Sequence, residues 1–323
     1  MNARMSEHRR GRPTFTRSLT ARGRGGRIGG MGAFTVDDVA LVLEGGGMRA
    51  SYSAAVIVKL LREQVHLPHV SGISAGSSHT ANYLSNDPQR ARASFVEFSG
   101  DPRVGSLWTF LTGRGLFNAD YIYQQTSAPG QALPFDYAAF NANPASLRIG
   151  ATRTADGTRR WFTRKDVSSM GDLMTIVQAS STMPGLMPPV TINGEEYVDG
   201  AIGPDGGIPL DAAQMDGYRR FAVVMTRPRN YVKKPPRDIR ALRRIFRLRP
   251  AVADAVAGRW RRYNATREEL FDLERDGRAV LFFPDTMTIS NRERSVAKLR
   301  RCFGLGMGQI NREWPRWREF LGI

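Results

Sequence analysis

Val39-Ala40-Leu41-Val42-Leu43-Glu44-Gly45-Gly46-Gly47-Met48-Arg49 reads as a short strand that runs directly into a glycine turn. Its five apolar residues do not alternate with polar ones, the pattern of a strand covered on both faces. Ala50 to Glu63 follows with helical spacing, which puts Ala54, Ile57, Val58 and Leu61 on one face. The same order then recurs. His69-Val70-Ser71-Gly72-Ile73 is a second short strand, and Ser74 to Leu84 a helix. Strand, glycine turn and helix, twice in succession, predict an α/β protein with helices on the faces of its sheet.

Farther along, Leu147–Thr152 and Arg160–Thr163 read as strands across a turn at Asp156-Gly157, and Leu173–Ser181 as a helix stopped by Pro184-Gly185. Tyr218–Thr226 and Ala279–Pro284 supply further strands, and residues 294–302 and 306–321 two closing helices. Residues 100–145 show no clear periodicity and read as a helical excursion or a lid. Three parts result: a basic tail over 1–33, a catalytic core over 34–226, and a basic segment with closing strand and helices over 227–323.

The chain has 323 residues, 41% hydrophobic, and no apolar run of the roughly 18 residues that a membrane-spanning helix needs. Its first residues are basic without a following apolar core, so no secretory signal is read. Cys302 is the sole cysteine, and no Cys/His cluster has metal spacing. These features predict a cytoplasmic protein with neither metal nor cofactor. The net charge of +17 is local. Residues 1–33 hold eight arginines and one acid, and residues 227–262 thirteen Lys/Arg and two acids, so the remainder is close to neutral. The tail, with Arg22-Gly23-Arg24-Gly25-Gly26-Arg27, has too few apolar residues to fold and reads as solvated chain.

Gly72-Ile73-Ser74-Ala75-Gly76 is the sharpest chemical signal. A strand that turns abruptly into a helix needs small neighbours, here Gly72, Ala75 and Gly76, and projects the serine hydroxyl outward. The helix N-terminus beneath favours developing negative charge. A serine that merely caps a helix is the alternative. Gly45, Gly46 and Gly47 expose successive N–H groups that suit a phosphate or an oxyanion. A dinucleotide fingerprint fails because Ala50 stands where its last glycine would fall, and a P-loop fails for lack of Gly-Lys-Ser/Thr.

A nucleophilic serine needs a base. The histidines are His8, His66, His69 and His79, and none follows His79, so a serine, acid, histidine order is impossible for Ser74. A carboxylate must serve. Glu196-Tyr197-Val198-Asp199-Gly200-Ala201 reads as a strand ending in a sharp turn that presents Asp199, and Asp205-Gly206-Gly207 is a rival of the same form. Partial burial would raise either aspartate towards a useful basicity.

In order, these blocks resemble the patatin-like phospholipase family, whose pattern is a G-G-G-x-R/K-G loop, a G-x-S-x-G elbow and a D-G-G/A turn. Here they are Gly45-Gly46-Gly47-Met48-Arg49-Ala50, Gly72–Gly76 and Asp199-Gly200-Ala201, with Ala50 where a glycine is usual. The stretch from Ala179 to Val190 also looks like the family's approach to its aspartate. The resemblance, over about residues 36–226, implies a three-layer α/β/α fold with a mostly parallel sheet. It implies Ser74 as nucleophile and Asp199, preferred to Asp205 partly on this ground, as base. It further implies Gly45, Gly46 and Gly47 as the oxyanion loop, with the amides of Gly46 and Gly47 as donors. Arg49 either orients the loop or meets a substrate phosphate. The substrate implied is a lipid ester; a small ester or thioester, or acyl transfer at the same site, is the alternative.

Arg237–Arg249 reads as an amphipathic helix with Ile239, Leu242, Ile245 and Phe246 on one face and Arg240, Arg243, Arg244 and Arg247 on the other. That pattern suits an anionic membrane surface; a surface helix packed on the body is the alternative. No aromatic-interleaved or zinc module accompanies the charge, which argues against nucleic acid as a partner. A noncatalytic protein binding anionic lipid or nucleic acid is the competing reading of the whole chain.

Overall fold

The computed structural model describes residues 34–105 and 117–323. The expected tail over 1–33 and part of the 100–145 excursion lie outside them. A two-residue parallel ladder joins β1 (Phe34–Thr35) to β3 (Val65–His66). The main sheet holds β2 (Val39–Leu43), β4 (His69–Ile73), β5 (Ser146–Arg153), β6 (Arg159–Phe162), β7 (Val190–Ile192), β8 (Glu195–Asp199), β9 (Arg220–Val224) and β10 (Ala279–Phe282). Its order is β10-β9-β2-β4-β5-β8-β7, with β6 also on β5. The strands from β10 to β5 run parallel, while β6, β7 and β8 are antiparallel to their neighbours.

The helices are α1 (Ala50–Arg62), α2 (Ala75–Leu84), α3 (Pro88–Ala93), α4 (Tyr137–Ala142), α5 (Met170–Ser181), α6 (Leu210–Met215), α7 (Ile239–Ile245), α8 (Pro250–Arg275) and α9 (Val296–Leu321). They cover both faces of the sheet, and β2 shows why its run is apolar throughout. Val39, Leu41 and Leu43 pack into one core with residues of α1, α2, α5 and α9. Ala40 and Val42 pack into a second core with residues of α6 and α8. All five are buried. Each valine or leucine so buried contributes about 1.5–3 kcal/mol, so a polar residue anywhere in β2 is costly. The result is a three-layer α/β/α fold.

The C-terminal third departs from its reading in two places. Residues 294–302 and 306–321 form one continuous helix, α9, rather than two. Gly306, where the second helix was expected to begin, is where α9 approaches α1: a Cβ there would meet Tyr52 O at 2.4 Å. The Tyr52 hydroxyl donates to Gln309 Oε1 at 2.6 Å across the same contact. The second departure is the basic helix. Only Ile239–Ile245 is helical, so Arg247 lies past its end. Pro250 disfavours helix in the residue before it, Arg249 is at φ −140°, and the chain restarts as α8 with the proline in its first turn. The four apolar residues do not share one buried face: Leu242 and Phe246 are half-buried, whereas Ile239 and Ile245 are exposed. α8 itself escapes sequence patterning because its buried stripe includes Tyr263 and Arg267 beside Leu270 and Leu273.

Candidate active site

β2 and β4 are neighbours and run parallel, so the glycine turn and the serine elbow emerge at the same sheet edge. The elbow is sterically exacting. A Cβ on Gly72 would meet Gly76 O at 2.3 Å, and one on Gly76 would meet Leu43 O at 2.1 Å. Ser74 sits between them at φ 57° and ψ −126°, a conformation costing roughly 1–3 kcal/mol for a residue with a side chain. Its amide donates to Ser180 Oγ at 2.9 Å, and Ser180 Oγ donates to Gly150 O at 2.7 Å. Ser180, at the end of α5, thus ties the strained turn to β5.

Sheet register delivers the carboxylate. Ile73 of β4 pairs with Gly150 of β5, and the next β5 residue, Ala151, pairs with Asp199 of β8. Asp199 is therefore level with Ser74. The Ser74 hydroxyl donates to Asp199 Oδ2 at 2.8 Å, while Asp199 Oδ1 accepts the Ala201 amide at 2.8 Å. Burial pushes the Asp199 carboxyl above its ordinary value; the Ala201 amide and the Arg259 charge draw it part of the way back. The pair can pass a proton from hydroxyl to carboxylate as the oxygen attacks a carbonyl.

Asp205, the rival, is committed elsewhere. Arg159 donates to its Oδ2 at 2.8 Å and Oδ1 at 3.0 Å, and also to Gly200 O at 2.6 Å, bracing the turn that carries Asp199. The three histidines among the described residues are likewise engaged elsewhere. His79 Nε2 lies 3.1 Å from Ser53 Oγ, and burial pushes this imidazole down to about 4. His69 contacts Ser146 and Asp216, and His66 is exposed. None of the three lines the cavity around Ser74.

In the glycine loop, one expectation is corrected. The Gly45 amide already donates to Gly207 O at 3.1 Å, so it is not a free oxyanion donor. The amides of Gly46 and Gly47 have no acceptor among the described residues, and Gly47 takes φ +55°, which favours glycine. Both line, with Ser74 and Asp199, a cavity of about 240 Å³. Arg49 and Ala75 line it too, and Ala75 packs with Ala50 and Phe95. Its apolar wall includes Phe95, Phe98, Ile122, Leu133, Met174 and Val177. Two of these, Ile122 and Leu133, come from the 100–145 excursion without periodicity, whose described residues thus contribute to one side of the cavity.

Sequence reading missed Glu44, which is buried where the loop begins. Its carboxylate accepts from the Thr226 amide, from Thr226 Oγ1 at 3.0 Å and from the Tyr263 hydroxyl at 2.7 Å. Arg259 on α8 was also missed, because its role depends on a contact with Gly206 O that no local pattern announces. Ser180 carried a signal: it stands in the stretch noted for its likeness to the family.

A fold with this sheet order and a serine–aspartate pair beside a glycine loop belongs to a recognisable class. The chain is a member of the patatin-like phospholipase family, whose profile matches residues 41–213. A domain of unknown function, DUF6363, matches residues 249–322. Among its relatives is the uncharacterized protein YjjU of Escherichia coli (strain K12), 27% identical over 194 residues, 59% of this chain and 52% of YjjU. Lysophospholipase NTE1 of Cryptococcus neoformans var. neoformans is 26% identical over 215 residues, 60% of this chain but 12% of that protein. The chain thus matches about half of YjjU and a small part of NTE1. The solved structure of VipD from Legionella pneumophila aligns over 85% of this chain and 66% of its own, with 13% identity and a TM-score of 0.42.

Proposed function

We propose that this protein is a serine hydrolase of lipid carboxylic esters, with Ser74 as nucleophile and Asp199 as its base. The observation that carries the reading is the hydrogen bond of 2.8 Å from Ser74 Oγ to a buried Asp199, made at a strained elbow that a mere helix cap would not need. Ser74 Oγ bonds to the ester carbonyl carbon while its proton passes to Asp199 Oδ2. The carbonyl oxygen, now negative, turns to the Gly46 and Gly47 amides. The C–O bond to the alcohol breaks, and the alcohol leaves with the proton from Asp199. Water, deprotonated by Asp199, then attacks the acyl carbon; the bond to Ser74 Oγ breaks, Asp199 returns the proton to that oxygen, and the fatty acid is freed. The apolar wall suits an acyl chain, and the lysophospholipase name of NTE1 favours a lipid over a small ester.

Contact with an anionic membrane surface belongs to the same proposal. Arg240, Arg243 and Arg244 on α7 and Arg247 just beyond it are exposed beside exposed Ile239, Ile245 and Leu248. Among the described residues no helix is long and apolar enough to cross a membrane. Release of fatty acid from lysophospholipid by the wild type, with about 10³-fold or greater loss in Ser74→Ala, tests the reading. Equal release by both proteins contradicts it.

A further inference from the structure

Two arginines line the glycine-loop end of the cavity, two further cations lie close enough to act on their charges, and the proposed mechanism assigns no step to any of the four. Arg49 and Arg259 line the cavity together with Gly46, Gly47 and Ser74. Arg49 is 9% exposed, and its Nε has no hydrogen-bond partner. Arg259, half-buried, donates Nε to Gly206 O at 2.9 Å, and its guanidinium packs on Gly207. Arg227 and Lys233, also half-buried, stand behind on a pair of aromatic rings. Arg227 stacks 4.4 Å from the Tyr231 centroid, Lys233 Nζ lies 5.0 Å from the Tyr263 centroid, and the two rings meet edge to face at 6.1 Å.

Among the described residues, none of these four is in an ion pair. The nearby carboxylate, Glu44, spends its oxygens on Thr226 and Tyr263. Glu44 offsets part of the charge on Arg49 and Lys233, but partly buried positive charges in excess of the nearby carboxylates repel one another and lose hydration, so a fold keeps them together at a cost. Burial, with Arg259 next in weight, pushes the Lys233 ammonium down to about 7. An anion in their midst relieves both penalties, and guanidinium groups are suited to phosphate oxygens. A trimethylammonium group finds a poorer environment: the nearby carboxylates, Glu44 and Asp199, already accept hydrogen bonds from the protein, and the two rings that could receive it already carry a cation.

The geometry points to an anion subsite in which Arg227, Lys233 and Arg259, together with Arg49, hold the phosphoryl group of a net-anionic lipid headgroup and disfavour a choline headgroup. Three of its members lie beyond residues 41–213, so the segments outside the family match set the headgroup preference. The substrate assignment rests on the ester-hydrolase reading; the anion subsite itself does not.

The first experiment compares hydrolysis of lysophosphatidic acid and lysophosphatidylcholine of one acyl chain in neutral-detergent micelles. The wild type favours the former by about tenfold or more in kcat/KM, carried by KM. Arg227→Gln/Lys233→Gln lowers that ratio towards one, and Arg227→Lys/Lys233→Arg restores it. A wild-type ratio near one, or a ratio unmoved by the Gln substitutions, overturns the headgroup assignment. A second experiment titrates glycerol phosphate and inorganic phosphate into the Ser74→Ala full chain, which reads binding without turnover. Glycerol phosphate binding that weakens tenfold in Arg259→Gln supports the subsite, and no binding overturns it. Inorganic phosphate binding as tightly as micellar lysophosphatidic acid overturns the headgroup source in favour of a free phosphate. Should glycerol phosphate bind while no ester is cleaved, the hydrolase reading fails and the anion subsite stands.

Discussion

Residues 41–213 and residues 249–322 are built on different principles. In the first region each decisive feature answers a local demand of the backbone. Gly72 and Gly76 leave room for each other and for Leu43 O, Gly47 takes a positive φ, and Asp199 ends a strand in a turn. In the second region the features are contacts between distant parts of the chain. α9 closes on α1 at Gly306, and α8 brings Tyr263 to Glu44 and Arg259 to Gly206. The first region holds the proposed reacting groups, and the second covers the sheet and brings Arg259 to the cavity. Substitutions in the two should therefore fail in different ways.

The largest expected effect is Asp199→Asn, which keeps the shape but removes the base. Its kcat falls about 10²–10⁴-fold with little change in melting temperature. In the wild type the acid limb of kcat/KM lies above the ordinary aspartate range, because burial raises the Asp199 pKa and only the ionised form accepts the proton. An acid limb in the usual aspartate range, or a slight loss in Asp199→Asn, breaks the assignment.

Arg159→Ala, although it lies in the first region, should fail by unfolding instead, because its role is a contact between distant parts of the chain. It strands the buried Asp205 carboxylate and releases Gly200 O, at a cost of about 3–5 kcal/mol read by urea denaturation. Loss of activity without loss of stability would move Arg159 into the catalytic group.

His79, also in the first region, offers a pH-dependent stability effect that is separate from the reacting pair. It is neutral in the fold because burial depresses it to about 4, whereas unfolded histidine titrates near 6.5. The stability it contributes is full above about 6.5 and falls as pH drops towards 4, by up to about 3 kcal/mol. Unfolding free energies of wild type and His79→Gln should converge over that window; parallel curves would contradict the burial argument.

The smallest effect is expected at the exposed arginines. Replacing Arg240, Arg243, Arg244 and Arg247 by glutamine should weaken binding to vesicles containing anionic lipid, by up to about 1 kcal/mol per charge. The loss should shrink as salt rises. Binding that ignores both charge and salt would leave α7 as a surface helix only.

The same contrast explains what the sequence made legible. The elbow, the loop and the Asp199 turn could be read because glycine and turn chemistry leave a signature within a few residues. The choice of Asp199 over Asp205 could not, since it depends on where Arg159 reaches from another strand. Glu44 and Arg259 were hidden because a buried acid and a cavity arginine look like ordinary charges until α8 is in place. α9 was split at 303–305 because three glycines within five residues, Gly304, Gly306 and Gly308, resemble a helix stop when viewed along one chain, whereas Gly306 serves the approach of α9 to α1.

The most direct test of the central claim is covalent. A fluorophosphonate ester bonds to a serine only where a base and oxyanion donors activate it, and peptide mapping by mass spectrometry identifies the residue. The account predicts phosphonylation of the wild type at Ser74, its loss in Ser74→Ala and a marked slowing in Asp199→Asn. An adduct on another serine, or a wild type that stays unlabelled, would contradict it.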